Sequence, residues 1–171
     1  MELYVERGFE ETTVADIAER AGLTERTFFR HFADKREVLF VGQDDFHDSF
    51  VSVIASAPAD ASPIETVAAA IRSVADEFEP RRPWSQERGR VIAATPGLQE
   101  RELIKLARVS EAMAEALRAR GVSEPAASLT AQSGMAVFHV GFGQWIAVDN
   151  ARTFSAIITD ALAELKTVVG G

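Results

Sequence analysis

The chain has no cysteine, which excludes a disulfide framework and thiolate metal sites and suits a reducing compartment. It has no apolar run long enough to cross a bilayer. The most hydrophobic stretch, MAVFHVGFGQWIAV at 135–148, is short and carries His139 and Gln144, so it reads as a buried helix and no membrane partner is expected. Its first residues show no apolar run with basic flanks, so no signal peptide is expected and the cytoplasm is the expected location. Strand-like alternation and internal repeats are also missing. Basic charge is scarce: 18 Lys and Arg stand against 26 Asp and Glu, a net charge of −8, and such a field argues against a general nucleic-acid binder. No Ser/His/Asp arrangement, phosphate loop or catalytic carboxylate pair stands out, so neither an enzyme nor a cofactor is expected. Asp44, His47 and Asp48 share a helical spacing without a closing ligand; they read as a solvated face, and no metal site is expected.

What is present is helix punctuation. Gly8 closes a first short segment, Thr13-x-x-Asp16 opens VADIAERA, and Thr24 opens ERTFFRH after Gly22. Asp34-x-x-Glu37 predicts a longer helix running to about Ala57. Ser62-Pro63-x-Glu65 predicts another to about Phe78, and one of roughly ten residues follows from Trp84 or Ser85. Leu98–Arg120 places Leu103, Leu106, Met113 and Leu117 on one stripe. Helices to about Val148 and over Ala151–Val168 complete the chain, the last capped by Asp149-Asn150. The expected class is all-α, with about nine helices.

Residues 14–32 carry the strongest pattern. Ala18 and Gly22 lie four apart where two short helices meet, and the small side chain at 18 permits a close crossing. Ile17, Ala21, Leu23, Phe28 and Phe32 are the expected local core. Thr24, Glu25, Arg26, Thr27, Phe29, Arg30 and His31 then face outward, as in helix-turn-helix proteins that lay the second helix in the DNA major groove. Charge limits the contact to a small area. Over residues 1–46 there are six basic and eleven acidic side chains, and only Thr24–Arg36 is locally basic.

The run ERGFEETTVADIAERAGLTERTFFRHFADKREVLF closely resembles the N-terminal domain of the tetracycline-repressor (TetR) family. The resemblance is carried by Gly8-Phe9, Thr12-Thr13-Val14, Ile17-Ala18, Ala21-Gly22, Thr27-Phe28-Phe29, His31-Phe32, Lys35 and Leu39. It implies a three-helix DNA-binding domain over 1–40, with Thr13, Thr24, Glu25, Arg26, Thr27, Phe29, Arg30, His31 and Lys35 at the DNA. Thr24 and Thr27 would cap the recognition helix or hold phosphate oxygens, His31 and Lys35 would meet phosphate, Phe29 would stand where the family usually has Tyr, and Glu25 and Arg26 would face base edges. Arg26 suits guanine and Glu25 cytosine. Only seven residues precede Gly8, so the first helix reads as cut short beside the family's.

For residues 41–171 the resemblance implies an effector-binding and dimerisation domain. Candidate pocket residues are Phe46, Phe50, Phe78, Trp84, Met113, Phe138, His139 and Phe142, with Arg88 as an anchor for an anionic group. Candidate dimer residues on the last two helices are Gly134, Gly141, Trp145, Phe154, Ile158, Leu162 and Leu165. The stretch from Arg90 to Gly121 is loosely similar to regulators thought to sense acyl-CoA compounds. The expected function is a homodimeric repressor on palindromic double-stranded DNA, released by a small apolar or amphipathic effector. An architectural or cell-cycle DNA-binding factor without an effector, and an all-α ligand carrier with a decayed reader, remain open alternatives.

Overall fold

Capping side chains set the element boundaries in the computed structural model, which describes residues 1–170. Thr13 with Asp16, and Ser62 with Glu65 behind Pro63, exchange reciprocal hydrogen bonds that satisfy amides a helical first turn leaves bare. Among the described residues the order is α1 (Glu2–Arg7), α2 (Val14–Arg20), α3 (Glu25–His31), α4 (Gln43–Ser56), α5 (Pro63–Phe78), α6 (Arg82–Ala93), α7 (Pro96–Ala119), α8 (Ala126–Trp145) and α9 (Phe154–Gly170). Short 3-10 turns at Glu37–Phe40 and Glu79–Arg81 are the only other regular elements among them. The expected all-helical class and helix number are observed.

Two expected helix starts are wrong for local reasons. The Asp34 carboxylate turns to the amide and guanidinium of Arg36 (2.8, 2.9 and 2.6 Å) instead of capping a long helix. Gly42, at φ 78°, then separates the 3-10 turn from α4, a backbone shape that side chains with a Cβ disfavour. The chain therefore has a bent joint at 37–42 where a continuous Asp34–Ala57 helix was expected. At the other end α9 begins at Phe154, because Glu79 accepts from the Phe154 amide (2.7 Å) while Asn150 braces the preceding loop through Arg152 N and Trp145 O.

Two cores follow. The larger joins α4, α5, α7, α8 and α9 through Phe50, Ile71, Met113, Phe138, Trp145, Phe154 and Ile158. The smaller gathers Tyr4, Phe9, Leu39, Phe40, Val91, Ile92 and Leu98, so it seats α1 and the 3-10 turn on α6 and the start of α7. Helices α5 and α8 approach closely at Gly134, where a Cβ would overlap Val67; α8 and α9 do so at Gly141, where it would lie 2.6 Å from Ile158.

The inward stripe of α7 is Leu98, Glu102, Lys105, Val109, Met113 and Leu117, at steps of three and four residues. Leu103, expected on it, is exposed. Two charged residues occupy core-facing positions instead.

Candidate nucleic-acid interface and adjoining cavity

The reading head is built on α2 and α3. The Leu23 amide donates to the Ala18 carbonyl at 2.8 Å to close the turn, and Thr24 Oγ1 accepts from Thr27 N to start α3. Phe28 is buried and takes the edge of Phe29 at 5.5 Å and the tilted ring of Phe32 at 5.1 Å. Leu23 and Ala21 are exposed, so the local core is Ala18, Phe28 and the half-buried Ile17 and Phe32. Thr24, Glu25, Arg26, Phe29, Arg30 and His31 share the solvent side, with Thr27 half-buried. The Thr24 and Thr27 hydroxyls lie 3.0 Å apart. Thr13 is exposed, but its hydroxyl is committed to Asp16 at 2.5 Å, a bond that holds the Asp16 carboxyl below its ordinary pKa.

Electrostatics single out two arginines. Arg7 pairs with Asp16, Arg20 with Glu2 and Glu6, and Arg36 with Asp34. Among the described residues of the head, Arg26 and Arg30 have no carboxylate partner; Arg30 has only the His31 ring nitrogen, 3.4 Å away. The two head arginines left without a carboxylate are therefore both on α3, which gives an acidic chain a locally basic surface there.

Lys35 requires correction as a phosphate contact. Its ammonium donates to the carbonyls of Phe9, Glu10 and Thr12 at 2.8, 3.0 and 2.9 Å, and it lies 4.5 Å from the centre of the Phe9 ring. All three hydrogens are spent holding the α1–α2 loop. The Lys35 carbonyl in turn accepts from the Tyr4 hydroxyl at 2.6 Å, whose pKa is raised by burial and then by the charge of Asp34.

Behind the joint lies a cavity of about 170 Å³. Its wall combines Leu39, Phe40, Val41 and Gly42 of the joint with Phe46 of α4, Phe78 of α5, Trp84, Ser85 and Arg88 of α6, Lys105 of α7 and Phe142 of α8. Five expected pocket residues, Phe46, Phe78, Trp84, Arg88 and Phe142, thus meet at one site. Phe50, Met113 and Phe138 do not line it; they are sealed in the larger core. His139 is exposed on the outer side of α8 and is neither a core nor a pocket residue.

Arg88 is buried and already neutralised. Its Nε donates to the Leu39 carbonyl at 2.8 Å and its terminal nitrogens reach Glu102, the nearer at 2.6 Å, while Lys105 Nζ meets the same carboxylate at 2.7 Å. Burial opposes ionisation of Glu102, but Lys105 and Arg88 outweigh it and keep its pKa below the ordinary value. Burial, with the repulsion of Arg88, lowers the pKa of Lys105 against the pull of Glu102. Ser85, Glu102 and Lys105 were missed in the sequence. The two α7 charges had a legible signal, since they interrupt an otherwise apolar stripe; Ser85 had none.

The expected dimer residues also need correction. Trp145, Phe154 and Ile158 are fully buried within one chain, and Leu162 nearly so. Gly134 and Gly141 serve contacts inside the same chain. Of the seven, only Leu165 lines the exposed groove between α8 and α9, with Ala136, Val137, Val140, Gln144, Asp160, Ala161, Glu164 and Val168. The most apolar sides of α8 and α9 face their own core.

A helix-turn-helix head with unpaired arginines on its second helix, seated on an all-helical body, defines a DNA-binding transcriptional regulator. Residues 1–40 match the family described as bacterial regulatory proteins, tetR family, and residues 61–170 match the MftR C-terminal domain. The chain belongs to the TetR family of bacterial transcriptional regulators. It is 38% identical over 74 residues to the HTH-type transcriptional regulator TcmR of Streptomyces glaucescens, a match covering 43% of this chain and 33% of TcmR. The chain thus spans about a third of that relative's length. A TetR-family regulator of Syntrophomonas wolfei superposes over 99% of this chain and 90% of its own, with 22% identity and a TM-score of 0.73. Thermus thermophilus FadR, a TetR-family repressor solved with lauroyl-CoA, covers 96% of this chain and 88% of its own, with 21% identity and a TM-score of 0.59. No helix among the described residues is long and apolar enough to cross a membrane.

Proposed function

We propose that the protein is a homodimeric, effector-responsive repressor in which residues 1–40 read DNA and residues 41–171 sense and dimerise. One observation carries this reading: the cavity wall includes Leu39 and Phe40 of the joint that leaves the head. Any molecule that reshapes the cavity acts directly on the element that sets the head's position. The exposed groove between α8 and α9, with Val140 and Val168 uncovered, supports pairing of two copies through a four-helix contact. Two heads about 34–36 Å apart then match a palindromic operator.

Direct base reading falls to Arg26 and Glu25, backbone contact to Thr24, Thr27, Phe29, Arg30 and His31. The effector is a small apolar or amphipathic molecule, and the lauroyl-CoA held by FadR makes acyl-CoA compounds candidates to screen. The cytoplasm is the compartment in which such a regulator meets DNA. Footprinting the full chain on DNA flanking its own gene, across a salt series, tests the reading. A protected palindrome with a steep salt dependence, lost on adding an effector, supports it; no protected sequence at low salt overturns it.

A further inference from the structure

We infer that the cavity takes a compact carboxylate, with its oxygens held at the buried end by the Ser85 hydroxyl and the Lys105 ammonium. The inference rests on the effector-responsive reading and names the ligand class of that site.

Three observations meet there. Ser85 is 1% exposed and lines the cavity, yet its Oγ has no hydrogen-bond partner. Buried hydroxyls in folded proteins are normally satisfied, so this one is a vacant donor and acceptor in the wall. Second, the polar groups at this end carry excess positive charge. Arg88 and Lys105 share the single carboxylate of Glu102. Arg88 spends its Nε on Leu39 and its terminal nitrogens on Glu102. Lys105 has one oxygen partner, and its ammonium otherwise faces the rings of Phe46 at 4.8 Å and Phe40 at 6.0 Å, which leaves donors for an incoming anion. The remaining charged groups on the wall, Asp45, Glu77 and Arg81, are exposed, so water screens them.

Third, about 170 Å³ is well below the roughly 300–1,000 Å³ of sites for drug-sized ligands. The occupant is therefore small, with an apolar body against Phe46, Phe78, Trp84 and Phe142. A carboxylate accepts from both Ser85 and Lys105 and offsets the unmatched charge; a neutral amide does the first and not the second. An added anion also offsets, by its charge, the cost that burial places on protonated Lys105.

The test is isothermal titration calorimetry of the full chain with benzoate and phenylacetate, their neutral amides, and lauroyl-CoA. Each acid is expected to bind at least tenfold more tightly than its amide. Lys105→Met should erase that preference, and Ser85→Ala should weaken acid binding several-fold without lowering the melting temperature. Should Lys105→Met fail to fold, the acid-to-amide ratio and Ser85→Ala decide alone. Equal affinity for acid and amide, no binding of either acid, or acid binding unmoved by the substitutions overturns the inference. Gel shifts run in parallel separate the two readings. Operator binding released by lauroyl-CoA but by neither acid sinks the carboxylate and keeps the regulator. Acid-selective binding in a protein that ignores DNA does the reverse.

Discussion

The Nε of Arg88 donates to the carbonyl oxygen of Leu39 across 2.8 Å, joining α6 to a turn 49 positions earlier in the chain. The same guanidinium lies 5.0 Å from the centre of the Phe40 ring, and Glu102 neutralises it from α7. The joint behind the reading head is thus tied to the helical body by a buried, charge-compensated contact whose other side is the cavity wall. Typical coupling between two such sites is about 1–3 kcal/mol, or 5–150-fold in affinity, within reach of one buried polar contact.

Glu102→Gln leaves two buried cations without their shared carboxylate, and the expected loss in urea unfolding is about 3 kcal/mol. The acid limb of the stability curve should also change. Glu102 has a folded pKa below its ordinary value of 4.5, so its contribution is complete above that value and is lost as pH falls through the folded one. As pH falls below 4.5 the variant should therefore lose stability less steeply than the parent chain. An identical slope would show that the triad does not carry that limb.

Lys35→Ala is expected to lower the melting temperature, because three loop carbonyls lose their donor. It should leave the salt dependence of operator binding unchanged. A residue that met phosphate would instead reduce the slope by about one on removal. A shallower slope with unchanged melting would restore Lys35 to the DNA surface.

Arg26→Ala should relax sequence choice by about 1–3 kcal/mol at one operator position. Arg30→Ala should weaken operator and scrambled DNA alike. Anisotropy titrations on both DNAs, with single-base operator variants, separate the roles; uniform loss for both substitutions removes base reading from Arg26.

Gly134→Ala presses a methyl into Val67 and should cost about 1–3 kcal/mol of chain stability. Val140→Asp acts on an exposed site, so unfolding measured on the separated chain should change by about 0.5 kcal/mol or less. Sedimentation should find Val140→Asp monomeric where the parent is a dimer. If Val140→Asp sediments as a dimer, the pairing face lies elsewhere.

Helix identity and most helix starts were legible because each has a local cause. Thr13 with Asp16, Thr24, and Ser62 with Glu65 and Pro63 act over three residues. Asp34 with Glu37 shows the same spacing and failed, because Arg36 two positions away captured the carboxylate. The aromatic half of the cavity was legible through Phe46, Phe78, Trp84 and Phe142. Of its polar half, Arg88 was legible as an anchor, Ser85 was not legible, and Lys105 with Glu102 behind it was legible only as a disturbance, because both stand where the α7 stripe calls for apolar residues.

By itself the sequence determined that the chain is helical, where α2 and α3 begin, and that a short basic surface stands on an acidic protein. Those properties depend on neighbours three or four residues apart, and local hydrogen bonding and periodicity encode them. Tertiary structure decided which apolar side of α8 and α9 faces inward, that Lys35 serves a loop, and that Arg88 reaches Leu39. Each is a competition among partners distant in the chain, settled by burial and by the pairing of buried charge, and no spacing rule along the sequence records the outcome.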